Sequence, residues 1–215
     1  EERTHNVFMG SVDYEIKFNE NKNSLAFYYG GQKTDRDHYT GIKPDEQNEL
    51  NNFLANPPYG YSDVTTHQGG VQFNNRFDDF LGGMAILTIG TEYVYDDVFD
   101  EIKPYSYEID QTTTDFGSFV QYDWDISPEL NLLSGFRVDK HNLLDKPIVS
   151  PRLSVLYKYE NSTQFRLGWG TGFRAPQAFD TDLHIAFAGG GVSRISLSDK
   201  LKEERSNSYT ASVNY

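Results

Sequence analysis

A chain of 215 residues with 19 Lys and Arg against 32 Asp and Glu carries a formal net charge of −13. That carboxylate excess excludes a nucleic-acid binder, which needs clustered Lys and Arg to neutralise phosphates. Cysteine is absent, which excludes disulfides, thiolate metal sites and a thiol nucleophile, and the 15% of aromatic residues favours strands over helices.

The opening EERTHNVFMG lacks the basic start and long apolar core of a signal peptide. The longest apolar run, Met84-Ala85-Ile86-Leu87, is far short of the roughly 18 residues a membrane helix requires. A membrane barrel gives a much weaker signal per strand and has to be sought in alternation.

Alternation is what the chain shows. Val12, Tyr14, Ile16 and Phe18 alternate with Asp13, Glu15 and Lys17 before a turn at 19–23. Leu25, Phe27 and Tyr29 predict a second strand, and Val71, Phe73 and Phe77 a third. Pro44 to Asn56 is read as a short helix inside the loop between them. Ala85, Leu87, Ile89, Tyr93 and Tyr95 predict the fourth strand, and Phe116, Val120, Tyr122 and Trp124 the fifth. Leu130, Leu132, Phe136 and Val138 give the sixth, residues 151–160 and 164–174 the seventh and eighth, and Tyr209, Ala211, Val213 and Tyr215 the ninth. Period two with one apolar face marks half-exposed strands. The fold class expected is all-β, an antiparallel up-and-down meander of about nine strands belonging to a larger transmembrane barrel.

Short turns near 19–23, 78–83, 125–129 and 161–163 alternate with longer loops near 32–64, 96–112, 140–150 and 175–206. Short turns on one side and long loops on the other characterise outer-membrane barrels. Phe18, Phe77, Trp124, Tyr159, Phe165 and Tyr215 fall near the short-turn rim, and Tyr29, Tyr93, Tyr95, Phe116, Phe173 and Tyr209 near the other. Two aromatic belts around a Leu/Val/Ile band suit a lipid-facing surface. The opposite face carries Glu92, Asp123, Arg137, Asp139, Arg152, Lys158, Glu160, Arg166 and Arg174. Water outside a soluble β-sandwich or inside a wet barrel would accept those charges, so both readings stay open at this point.

Gly172-Phe173-Arg174-Ala175-Pro176 closes the eighth segment, and Asp199 to Tyr209 (DKLKEERSNSY) leads into the ninth. The first resembles the Phe-Arg-Ala-Pro signature of TonB-dependent outer-membrane receptors. The second resembles the Asn-Pro-x-Leu-x-Pro-Glu-x-Ser signature that follows it in that family, without the Asn-Pro and the second Pro. Gln177 to Ile185 (QAFDTDLHI) is similar to one branch of those receptors. The resemblance implies a barrel of about 22 strands closed around a plug. Residues 1–215 would then be a middle section of the barrel domain with no plug domain present.

The resemblance further implies a Gram-negative outer-membrane location and contact with outer-membrane lipid. It implies the protein's own plug and TonB as partners, and import of a bulky metal chelate or vitamin: an iron siderophore, haem or cobalamin. No cofactor is implied. A passive porin-like channel and a soluble secreted sandwich are the alternatives.

The candidate ligand residues follow from the loops. His184 lies between the two signatures, where haem receptors of the family place a haem-contacting histidine, and a neutral imidazole can ligate iron. Asp180 and Asp182 flank it. Arg174 faces inward at the upper rim, suited to a carboxylate of the lumen or plug. Tyr105 and Tyr107, with Tyr39, Tyr59 and Tyr61, offer flat amphipathic faces to a bulky chelate. Asp96, Asp97 and Asp100 are calcium candidates by their hard oxygen ligands, without the glycine phasing of a calcium loop. No nucleophile elbow, phosphate loop or His-Glu metal pair is present, so no enzyme is expected.

Overall fold

The computed structural model describes residues 2–39, 43–160, 162–176 and 202–215, with side chains from residue 4 onward. Among these described residues nine strands follow one another: β1 (Glu2–Phe18), β2 (Asn23–Tyr39), β3 (Tyr59–Phe80), β4 (Gly83–Ile102), β5 (Tyr107–Asp125), β6 (Leu130–His141), β7 (Ile148–Tyr159), β8 (Thr163–Arg174) and β9 (Glu204–Asn214). They form one sheet in sequential order, every neighbour antiparallel. One helix, α1 (Gln47–Ala55), interrupts the β2–β3 connection within the stretch where the sequence predicted it. The two-sheet sandwich left open by the sequence is not formed.

Register places the apolar residues together. Directly opposed residues of an antiparallel pair point to the same side. One row runs Ile16, Leu25, Phe73, Ile89, Val120, Phe136, each opposite the next. A second runs Phe77, Ala85, Trp124, Leu132, Val155, Leu167, Ala211. Arg152 opposes Gly135 and Gly170, and Arg166 opposes Leu156, on the other face. The predicted faces therefore hold from edge to edge. The apolar face is uncovered: Leu167 is 64% exposed and Phe136 51%. A soluble core would not leave such a band in water.

Aromatic clusters stand at both ends of this band. Near the short turns Phe80 meets Tyr122 and Trp124 edge-on at 5.2 and 5.9 Å between ring centroids. The Trp124 indole N–H also donates to the Phe80 carbonyl at 3.2 Å. At the other end His67 lies between Tyr29 at 6.0 Å and Tyr95 at 6.1 Å.

The short connections bend through left-handed backbone at Asn19, Glu20 and Asn21, at Leu81 and Gly82, and at Glu160. The expected long loops are corrected in two places. The stretch read as a loop over 32–64 is strand to Tyr39 and from Tyr59, and that over 96–112 is strand to Ile102 and from Tyr107. The only break in the second is a 3₁₀ turn, Lys103–Tyr105. Their sequences, such as KTDRDHY and DDVFDEI, are polar on both faces, so no alternation announces a strand. Backbone pairing holds there without a continuous apolar face. At 22 residues, β3 runs about 70 Å at about 3.3 Å per residue, well beyond the 9–11 tilted residues that cross a bilayer.

Candidate functional site

The polar face carries a connected set of side chains. Glu92 on β4 accepts from the Tyr28 hydroxyl at 2.6 Å, from Gln68 Nε2 at 2.8 Å and from Arg137 Nη2 at 3.0 Å. Arg137 Nε donates to Asp139 Oδ1 at 2.6 Å. Four strands, β2, β3, β4 and β6, thus meet through one carboxylate and one guanidinium, which reaches across β5. Arg152 on β7 donates to Gln121 on β5. Arg137, Glu92 and Asp139 thus pair opposite charges, as a half-buried ionic network requires.

Glycines make this network possible. A Cβ at Gly70 would stand 2.4 Å from the Tyr28 hydroxyl, and one at Gly117 would stand 2.1 Å from Arg137 Nη2. The long side chains lie flat across neighbouring strands because those positions are bare. Sequence reading singled out Glu92, Arg137 and Asp139 as polar-face charges but not Tyr28 or Gln68. The signal was there: a glycine on the polar face of the next strand wherever a large polar residue must lie down.

Above this level the same face closes over a buried patch. Asp100 and Ser62 are almost wholly buried. Ser62 Oγ donates to Asp100 and accepts from Arg36 Nη2 at 3.0 Å, and Arg36 Nη2 lies 4.0 Å from Asp100. Ile102, Tyr107 and Ile109 pack beside them, with Tyr105 against the cluster. Burial, then the charge of Asp100 and a hydrogen bond to it, push Tyr107 from 10.0 up to about 12, with Arg36 pulling the other way. The opposite face of this extension is acidic. Lys33 Nζ bonds Asp63 at 2.5 Å and holds that carboxyl below its ordinary range.

The sequence-derived candidates separate in this geometry. Asp96 accepts from Thr66 at 2.6 Å on the polar face, whereas Asp97 accepts from Thr112 at 2.7 Å on the other. Asp100 belongs to the Arg36–Ser62 patch. The three aspartates are not brought together, and among the described residues no three His, Cys, Asp or Glu side chains are gathered as a metal would need. Tyr107 is buried and Tyr105 half-buried, so the first is packed inside the wall. Tyr39, Tyr59 and Phe53 cluster at the top, Tyr39 lying 5.1 Å from Tyr59 and 6.3 Å from Phe53. Arg174 is exposed, on the polar face, opposite Glu204. His184, Asp180 and Asp182 lie outside the described residues.

The Phe-Arg-Ala-Pro corner has a local cause. Ala175 is buried against Leu144 and Ile148, with Phe173 beside them. Lys140 Nζ ties the same loop by donating to the carbonyls of Leu144 at 2.7 Å and Asp145 at 3.1 Å. Pro176 then offers no N–H to continue a ladder. The segment that follows the eighth strand therefore departs from a packed corner.

Nothing among curated proteins matches this sequence. Among solved structures, the chain superposes on the siderophore receptor PirA from Acinetobacter baumannii with a TM-score of 0.65 and 16% identity, covering 81% of this chain and 26% of that one. A ferric enterobactin receptor from Pseudomonas aeruginosa, solved with enterobactin, gives 0.67 and 15% over 81% and 26%. The alcaligin outer-membrane receptor FauA from Bordetella pertussis gives 0.66 and 14% over 98% and 34%. Identities this low carry the fold alone. The chain spans about a quarter of the length of the first two receptors. The family described as TonB dependent receptor-like, beta-barrel matches residues 2–215 of the sequence, and the chain belongs to that family.

Proposed function

We propose that these nine strands are barrel wall of an outer-membrane active transporter of a Gram-negative bacterium that imports a scarce, bulky nutrient of the metal-chelate or vitamin class. The observation that carries this reading is the division of one continuous sheet. One face is an exposed apolar band with aromatic ends, and the other carries a hydrogen-bonded network of charges. A bilayer covers the first, and the second lines a wet, partly filled lumen. Residues 1–215 form part of the barrel domain, and a plug and TonB act with them in the full-length protein. Iron siderophore, haem and cobalamin all fit this class, and the solved receptors it superposes on include siderophore receptors.

Ligand capture is assigned to the outer loops. His184, Asp180 and Asp182 are proposed contacts on the strength of their place between the two family signatures, and Arg174 for its place on the polar face at the end of β8. Tyr105 and the Tyr39–Tyr59 pair supply aromatic edges.

The test is uptake by the full-length protein in cells lacking other receptors for the same iron chelate, with and without TonB. Radiolabelled ferric siderophore, haem and cobalamin are offered in turn. Accumulation of one of them that disappears without TonB supports the reading. Accumulation indifferent to TonB would mean a passive channel. If haem is the ligand, His184→Ala alters the iron's visible absorption spectrum. With a siderophore or cobalamin the same change leaves the ligand spectrum alone and affects affinity modestly.

A further inference from the structure

Charge is spread unevenly over the polar face of the wall. On β4 to β6 that face carries Glu92, Asp96, Asp115, Asp123 and Asp139. The guanidinium among them, Arg137, is tied to Glu92 at 3.0 Å and to Asp139 at 2.6 Å. β7 and β8, of 12 residues each, contain no Asp or Glu, in a chain that has 32. Their polar face carries Arg152, Lys158 and Arg166. Arg152 donates to a neutral group, the Gln121 side chain, and among the described residues no carboxylate pairs with any of the three.

Arg137 shows how far such a side chain reaches, crossing two strands from β6 to Glu92 on β4. Every strand within that reach of β7 is described: β5, β6, β8 and β9. Asp123 and Asp125 on β5 accept from Asn131 instead, at 2.6 and 3.1 Å, and Asp139 on β6 accepts from Arg137. Arg152 and Lys158 are thus left without a carboxylate by the composition of the wall around them. Arg152 and Arg166 are exposed on this face. Gly135 and Gly170 flank Arg152, and Gly168 stands between Ser154 and Thr210. A Cβ at Gly170 would meet the wall only at 3.6 and 3.9 Å, so the backbone there is open to close approach from the lumen.

We propose that the polar face of β7 and β8 is the lane along which the imported molecule passes, and that it passes as an anion. The molecule is a metal chelate with ionised oxygen groups, carboxylates or catecholates, which meet Arg152, Arg166 and Lys158 in turn. The proposal rests on the reading of this sheet as the wall of an active transporter. Register sets the cations one below another. Arg152 lies opposite Gly170, four residues above Arg166, and Lys158 lies opposite Gln164, two residues below it. At about 3.3 Å per residue these steps are about 13 and 7 Å. Cations lining a low-dielectric wall raise the local concentration of anions, and several weak sites in series let an anion leave as readily as it enters. A neutral chelate gains nothing from them. The carboxylate-rich face of β4 to β6 would repel an anion, which leaves β7 and β8 as its side of the wall.

The experiment uses the full-length receptor in cells with working TonB. Gly170→Cys places a thiol in the lane, and its modification by sulfonatoethyl and trimethylammonioethyl methanethiosulfonate is timed, the receptor without that change giving the background. Relative to a free thiol in solution, the anionic reagent should be favoured about tenfold or more. Arg152→Gln, Lys158→Gln and Arg166→Gln combined should abolish the preference, and Arg152→Lys with Arg166→Lys should keep it. No preference, or a thiol that neither reagent reaches, overturns the proposal. In parallel, TonB-dependent uptake of a trianionic ferric tris-catecholate is compared with that of a neutral ferric tris-hydroxamate. Uptake of the anion that falls at least fivefold in the combined Gln variant and returns with the Lys pair is expected. Uptake of the neutral chelate alone, or undiminished uptake of the anion in the Gln variant, overturns the lane and leaves the transporter standing. A Gln variant that admits a large antibiotic without TonB would show that the cations hold the plug, which also overturns it. Should neither chelate enter, the thiol rates alone decide. Chelate uptake indifferent to TonB would instead sink the active-transport reading beneath the proposal.

Discussion

The lower part of the sheet and the upper extension of β2 to β5 share one ladder and differ in what surrounds them. In the lower part, rows such as Ile16–Leu25–Phe73–Ile89–Val120 fix which side chain goes where. Moving a strand by one residue would invert every side chain. In the extension neither face carries a continuous apolar band. Asp37, Tyr61, Glu101 and Glu108 stand in one row, Arg36, Ser62, Asp100 and Ile109 in the next on the other side. There the register is held by particular bonds, chiefly the Arg36–Ser62–Asp100 patch, and not by hydropathy. The comparison teaches that a long strand can have two different reasons for its register along its length.

The largest test of the contrast uses one strand and one face. Leu87 and Glu101 both lie on β4, on the same side, one within the apolar band and one above it. Leu87→Lys is expected to lower the unfolding free energy of the full-length barrel in lipid by about 2–4 kcal/mol, the cost of a mid-bilayer lysine. Glu101→Lys should change it by less than about 1 kcal/mol, because the site is partly open to water and the change breaks only the ion pair to Lys103 at 3.3 Å. It also removes a like-charge opposition with Glu108, where such pairs are mildly unfavourable. Urea titration in vesicles reads both. Equal losses would show that the apolar face does not meet lipid at Leu87.

High pH should act on the extension first. Tyr107 is held neutral by burial and by Asp100, its value raised from 10.0 to about 12. Between those values the unfolded tyrosine has lost its proton while the folded one keeps it. Stability is therefore whole below about pH 10 and falls as pH rises through 12, by at most roughly 3 kcal/mol for a two-unit shift. Tyrosinate absorbance together with hydrogen exchange in β4 and β5 follows it. Tyr107→Phe should flatten that slope, and an unchanged slope would mean that another group carries the opening.

The two regions also differ in how far the sequence revealed them. Strand number, order and faces followed from alternation, since Phe27, Val71 and their neighbours repeat at period two where one face is apolar. The tops of β2 to β5 read as loops because KTDRDHY and DDVFDEI do not alternate, and the bonds that hold their register, such as those of Arg36, Ser62 and Asp100, join residues far apart in sequence. Asp96, Asp97 and Asp100 looked like one cluster in a loop, but a strand sends Asp97 to the opposite side from the other two. The Tyr28–Glu92–Arg137 network joins residues far apart in sequence. Only the glycines opposite these side chains hinted at it.

One such glycine gives the next test. Gly117→Ala places a methyl where Arg137 Nη2 lies 2.1 Å from the ideal Cβ position. Arg137 has to leave Glu92 or Asp139, so a loss of roughly 1–2 kcal/mol is expected from overpacking and a weakened charge pair. Gly10→Ala, with nothing within 4 Å, serves as the control and should cost nothing measurable. The same unfolding titration compares them, and equal values would mean that Arg137 relaxes freely and the network is not rigid.

The smallest effect belongs to the short turn after β1, the part of the lower region where hydropathy has no say. Asn19, Glu20 and Asn21 all take left-handed backbone, with φ of 53, 55 and 65°. Asparagine tolerates that region, but for glutamate the Cβ crowds the following carbonyl, at about 1–2 kcal/mol. Glu20→Gly removes that crowding while giving the unfolded chain more freedom, which offsets about 0.5–1 kcal/mol of the gain. A net stabilisation of a few tenths of a kcal/mol is expected. Asn21→Gly should gain less than Glu20→Gly, since the asparagine is already at ease. The Asn19 side chain donates to Asn23 Oδ1 at 2.9 Å, so Asn19→Gly should lose stability despite its similar backbone. If all three glycine variants shift the unfolding midpoint alike, the turn is set by the strands that enter it and not by its own residues.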